Sequence, residues 1–181
     1  MKTHLSSLVS LAGILSFACN TNNSLQFEAV DPLQKVFPES NYFAPMDAHA
    51  DVARGEHASF QFVVRSNTDI ENLKISVDTP KNADGELSDV RSGFVGFVKV
   101  GRANPEPSTD AYQPLSGFFP DPIIYEDCLD VSFGTTLHIC IKVKIAGDCL
   151  LGLYKVRFVI SGELGGQSVS KSKTFVIDVF K

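Results

Sequence analysis

The segment Arg54-Gly55-Glu56-His57 sets a cation, an acid and an imidazole side by side, just ahead of a strand-like run from Ala58 to Arg65. A carboxylate beside a guanidinium could serve as a functional acid. The glycine between them points to a plainer role. Gly55 supplies a turn, and Glu56 satisfies backbone donors or pairs with a nearby cation where the strand begins. A second acidic group, Asp121, Glu126, Asp127 and Asp130, raises glycoside hydrolysis, which needs two carboxyls facing across a sugar with one pKa raised. Loops carry such residues to solvent, and the regular spacing of a calcium loop is absent, so neither catalysis nor a metal site is expected there. His49, His57 and His138 stand singly, with no local serine–histidine–acid or cysteine–histidine arrangement. Cys128, Cys140 and Cys149 lack the two-residue spacing of a zinc site, and buried free thiols are the expectation. No cofactor is expected. Tyr112, Phe118, Phe119 and Tyr125 are the sugar-stacking candidates, against the stronger expectation that these rings pack onto the body of the fold or a neighbouring domain.

The elements that must position these residues are strands. Phe60, Phe62 and Val64 alternate with Ser59, Gln61 and Arg65, the period-2 pattern of a sheet with one buried face, and Val63 is the one apolar exception on the wetter face. Leu73, Ile75 and Val77 alternate in the same way and predict a second core strand after the turn Asn67-Thr68-Asp69. Phe94 to Val100 is a further strand, in which Gly96 marks a bulge or a close backbone approach. The strongest pair is Ile139, Ile141, Val143 and Ile145, followed by Tyr154, Val156, Phe158 and Ile160; Gly165-Gly166 then turns the chain into Thr174–Phe180. A first strand is expected from Phe27. Residues 41–51 read as loop, and 102–125, with five prolines, as one long irregular segment that is either functional or packed against something else. No window sustains helical periodicity. About seven short strands joined by loops predict an all-β fold, an antiparallel immunoglobulin-like β-sandwich.

A length of 181 residues, 44% of them hydrophobic and 20% charged, supports one ordinary globular domain. The net charge of −5 gives no basic footprint for nucleic acid, and Lys171-Ser172-Lys173 reads as a solvated strand face. At the N-terminus, Lys2 and His4 precede an apolar run from Leu8 to Phe17 that ends at Ala18-Cys19, the pattern of an export signal too short to span a bilayer permanently. Cys19 resembles the acylated cysteine of bacterial lipoproteins. Residues 1–18 are therefore expected as signal peptide, 19–26 as lipid-anchor tether and 27–181 as the sandwich. The expected address is the cell envelope, anchored to a bacterial membrane through Cys19, with plain secretion as the alternative.

With these pieces in order, the chain resembles the N-terminal β-sandwich domain of bacterial glycoside hydrolase family 123-like proteins. The residues that carry the resemblance are Ala53-Arg54-Gly55-Glu56 with Ser59-Phe60-Gln61, and before them Leu33-Gln34-Lys35-Val36-Phe37-Pro38. Pro120-Asp121-Pro122-Ile123-Ile124 and Gly152-Leu153-Tyr154 complete it. The chain departs from the family pattern in having no tryptophan in the strand with Ile139 and Cys140, and Val156 where a small residue is usual. In that family the sandwich precedes a catalytic (β/α) barrel, whose acidic pair hydrolyses N-acetylgalactosamine linkages with help from the substrate's acetamido group. No such barrel is written in these residues, so no catalytic residue carries over. The resemblance implies a non-catalytic accessory domain in carbohydrate processing, with a (β/α) barrel or a glycan as partner. The alternative is a stand-alone surface lipoprotein for adhesion or assembly.

Overall fold

Alternating apolar positions need two sheets to close over them, and the chain supplies both. The computed structural model describes residues 24–41, 43–44, 46–101 and 116–181. The expected signal peptide, Cys19, most of the tether and Tyr112 lie outside the described residues. Ten strands run in chain order: β1 Leu25–Val30, β2 His49–Ala53, β3 His57–Ser66, β4 Ile70–Val77 and β5 Val90–Val100. They continue with β6 Gly117–Ile124, β7 Leu129–Val131, β8 Thr136–Lys144, β9 Gly152–Leu164 and β10 Gln167–Phe180. Sheet A has the order β1-β3-β8-β5-β6 and sheet B the order β2-β10-β9-β4-β7. All pairings are antiparallel except β2 with β10, which run parallel. The fold is an all-β sandwich of immunoglobulin-like type.

The inward rows of the two sheets meet in a core rich in phenylalanine. Phe62 of sheet A lies 4.6 Å from Phe158 of sheet B, Phe60 lies 4.3 Å from Phe175, and Phe27 meets Phe158 edge-on at 5.2 Å. Each fully buried ring contributes about 1.5–3 kcal/mol by leaving water. Lys171 and Ser172 are exposed, as expected of a solvated strand face, while Lys173 is half-buried. Lys171 Nζ donates to the Leu25 carbonyl, and Lys173 pairs with Glu28 at 2.7 Å, so both tie β10 to β1 across the open side of the sandwich.

Several expectations are corrected by long-range pairing. Leu25 and Gln26, assigned to the tether, pair with Ser66 and Arg65, because a buried Leu25 extends the first strand backwards. Residues 117–124 are a strand, not irregular chain. β6 forms the edge of sheet A and bonds only to β5, so Pro120 and Pro122 cost no ladder bond on the free side. Residues 49–53 form β2, held by β10 rather than by their own alternation. β7 and the outer half of β10 were also missed, which is why ten strands replace about seven. Gly96 behaves as expected: the β5–β6 register shifts between Val95 and Phe97. Leu164 and Gln167 pair across Gly165 (φ 58°) and Gly166 (φ 76°), a two-residue hairpin turn with both central residues left-handed.

The apolar exception in β3 also has its explanation. Val63 packs with Val30, Val36 and Phe43 in a second small core on the outer face of sheet A, under the β1–β2 connection. The polar residues beside it hold that connection down. Gln61 Nε2 donates to the Gln34 carbonyl at 2.9 Å, and Arg65 Nη1 donates to the Ser40 carbonyl at 3.2 Å and to Thr136 Oγ1 at 2.9 Å.

Candidate functional site

Arg54-Gly55-Glu56 is a turn. Gly55 has a φ of 87°, a conformation that favours glycine. Glu56 Oε2 accepts from the Ala53 backbone at 3.3 Å, and the Ile145 backbone donates to the Glu56 carbonyl at 2.9 Å. The exposed carboxylate closes the β2–β3 corner, as expected from its place before the strand.

The acidic residues of 121–130 do not converge on a sugar-sized site. Asp121, Glu126, Asp127 and Asp130 are all exposed. Asp130 accepts from the Asn72 backbone at 2.8 Å, fixing the bulge where Asn72 takes a φ of 51°. Among the described residues no three His, Cys, Asp or Glu side chains are grouped to hold a metal ion. His49 pairs with Asp51 at 3.0 Å on the surface and His57 is exposed. Cys128, Cys140 and Cys149 are free as expected but only half-buried, because Cys128 and Cys149 lie in loops and Cys140 faces outward from β8. Burial still pushes the Cys140 thiol up, although Lys142 acts in the opposite sense.

His138 is the unusual histidine. It is buried on the outer face of sheet A, with its ring stacked on Phe97 at 6.2 Å. Neither ring nitrogen has a hydrogen-bond partner among the described residues. Burial lowers its pKa from 6.5 to about 4, since a desolvated imidazolium is costly. Sequence spacing did not reveal this; the only signal was its position among the alternating residues of β8.

The aromatic candidates divide. Phe119 meets the buried Phe37 edge-on at 5.5 Å and is part of the packing that covers the outer face. Phe118, the next residue, projects to the opposite side and is 53% exposed. Tyr125 is 66% exposed and lies at the far end of β6, roughly 20 Å from Phe118 at strand spacing. The structure does not bring them into one stacking platform. Tyr125 instead covers Gly93: a Cβ at that glycine would fall 3.3 Å from Tyr125 Cδ1 and 2.6 Å from Ile123 Cγ2.

Two of the surface recesses gather several cations each. The larger, about 770 Å³ and open, lies on sheet B between Asp78, Lys81, Lys155, Arg157 and Thr174. The smaller, about 230 Å³, lies on sheet A between His57, Asp89, Arg91, Lys142 and Lys144. Sequence reading missed both, because their residues come from strands far apart in the chain.

No family model matches the chain, and no curated protein matches it. Among solved structures, it overlays on part of a family 123 glycoside hydrolase from Clostridium perfringens with a TM-score of 0.69 and 14% identity. The overlay covers 86% of this chain and 27% of that one, so the chain spans about a quarter of that enzyme's length. The CooA pilin subunit of enterotoxigenic Escherichia coli is similar over 86% of this chain and 99% of its own, but at a TM-score of 0.41 and 13% identity. The chain thus shares the sandwich fold of one part of a family 123 glycoside hydrolase.

Proposed function

We propose that this chain is a non-catalytic β-sandwich accessory domain of a glycoside hydrolase-like lipoprotein, associated with the processing of N-acetylgalactosaminides. On this reading the catalytic (β/α) barrel is a separate unit, either a further domain or a partner chain. Cys19 carries the lipid that holds the protein to a bacterial envelope membrane. The single observation that supports the reading is the overlay on part of the Clostridium perfringens enzyme, which was studied for glycolipid glycan hydrolysis.

Three measurements test it. A glycan array probed with the mature domain is expected to retain N-acetylgalactosamine-bearing glycans; a flat array refutes the glycan role. The neighbouring coding sequence is expected to contain a barrel with an acidic pair, and its absence favours a stand-alone adhesin. Labelled palmitate is expected to enter the wild type and not Cys19→Ser. Equal labelling of the two overturns the anchor.

A further inference from the structure

The outer face of sheet A has two unlike halves. One is dry, where the β1–β2 connection covers Val63 and Phe97 stacks on His138. The other gathers cations. Arg91 of β5 pairs with Lys142 of β8, and Lys144 pairs with His57 of β3. Cross-strand partners and alternate residues share a face, so all four side chains project outward together. They surround the recess of about 230 Å³. Asp89 is the one carboxylate in its lining, and it lies 3.4 Å from Arg91 Nε. Lys142 and Lys144 are exposed and enter none of the ion pairs among the described residues. This local excess of positive charge stands in a chain whose net charge is −5.

An exposed ring borders the cations. Gly93 continues the row of Arg91 two residues along β5, a step of about 7 Å. Its missing side chain is the space in which Tyr125 lies. An aromatic ring over Gly93 and the cation row that begins at Arg91 therefore stand about 7 Å apart at strand spacing. The sheet B recess offers no such pairing. Its cations Lys155 and Arg157 are exposed and its Lys81 is paired with Glu86 at 3.4 Å; what sets the sheet A recess apart is Tyr125, which lies outside its lining but over Gly93 in the row of Arg91.

We propose that Tyr125, Arg91, Lys142 and Lys144 form a binding site for an acidic saccharide. The sugar face rests on Tyr125, and a carboxylate or sulfate is held by the cations through charge-assisted hydrogen bonds. This rests on the glycan reading above and adds the charge of the ligand. Exposed charges interact weakly and are screened by salt, so the affinity is modest and falls as ionic strength rises.

The test uses the full chain and three matched probes: lactose, 3′-sialyllactose and 3′-sulfolactose, with inorganic sulfate as a fourth. Amide shifts and affinity are read in one titration at low salt. An acidic sugar is expected to perturb Gly93, Arg91, Lys142 and Lys144, and to bind about tenfold more tightly than lactose. The preferred sugar identifies the acid as carboxylate or sulfate. Lys142→Gln with Lys144→Gln is expected to lose about fivefold or more of that affinity. Tyr125→Ala is expected to weaken the sugar and leave inorganic sulfate unchanged. Equal binding of lactose and both acidic sugars, or an undiminished affinity in the lysine variant, overturns the proposal. So does inorganic sulfate that binds as tightly as sulfolactose. If neutral galactosaminides then bind elsewhere on the chain, the accessory glycan role survives the loss of this site. Silence from every saccharide removes both.

Discussion

Acidification should destabilise this domain through His138, and the size of the effect follows from where the ring sits. In the folded chain the imidazole is buried, stacked on Phe97 and without a partner for either nitrogen among the described residues, and its pKa is lowered from 6.5 to about 4. The unfolded chain binds the proton more readily, so stability is fully present above pH 6.5 and is lost as pH falls through 6.5 toward 4. A difference of about 2.5 pKa units corresponds to about 3 kcal/mol, most of it gone by pH 4. That is a large share of the roughly 5–15 kcal/mol that holds a domain folded. Carboxylates also titrate in this range, so the measurement must be a difference. Urea unfolding of the wild type and His138→Leu is compared at pH 7 and pH 4. The wild type is expected to lose about 3 kcal/mol more than the variant between the two conditions. Parallel losses in the two proteins would refute the reasoning, and so would an imidazole resonance for residue 138 that titrates near 6.5.

Three further predictions concern the scaffold. Phe158→Ala removes the ring that meets Phe27 and Phe62 and is expected to cost about 3–5 kcal/mol in chemical denaturation. Gly93→Ala places a Cβ 2.6 Å from Ile123 Cγ2 and 3.0 Å from the Ile124 carbonyl, so β6 must shift; a loss of about 1–3 kcal/mol is expected, with amide shifts along 117–125. Tyr154→Phe strips the donor from a bond of 2.8 Å to the Leu150 carbonyl and is expected to cost about 1 kcal/mol by thermal melting.

Local alternation was enough to read the centre of the fold. β3 and β9 largely alternate buried and exposed residues, as β8 does from Ile139 onward, and their strands were legible because a half-buried strand writes its own pattern. The Gly55 turn and the Gly96 irregularity were legible as well, since glycine marks backbone that other residues adopt at a cost. β2, β6 and β7 were not. They are short or edge strands whose pairing partners lie far away in sequence, and proline in β6 argued against a strand until its free edge was known.

From its sequence alone, then, this protein is an all-β chain with an aromatic core, a glycine corner before β3 and no local catalytic pattern. Periodicity and turn chemistry act between near neighbours, and near neighbours are what a sequence displays. Tertiary structure decided the rest. It buried His138, gave the lysines at 171 and 173 partners in β1 across the two sheets, and separated Phe118 from Tyr125. It also set Arg91, Lys142 and His57 on one face through the registers of three strands. Register is a long-range property, set by which rows of side chains fit between the two sheets.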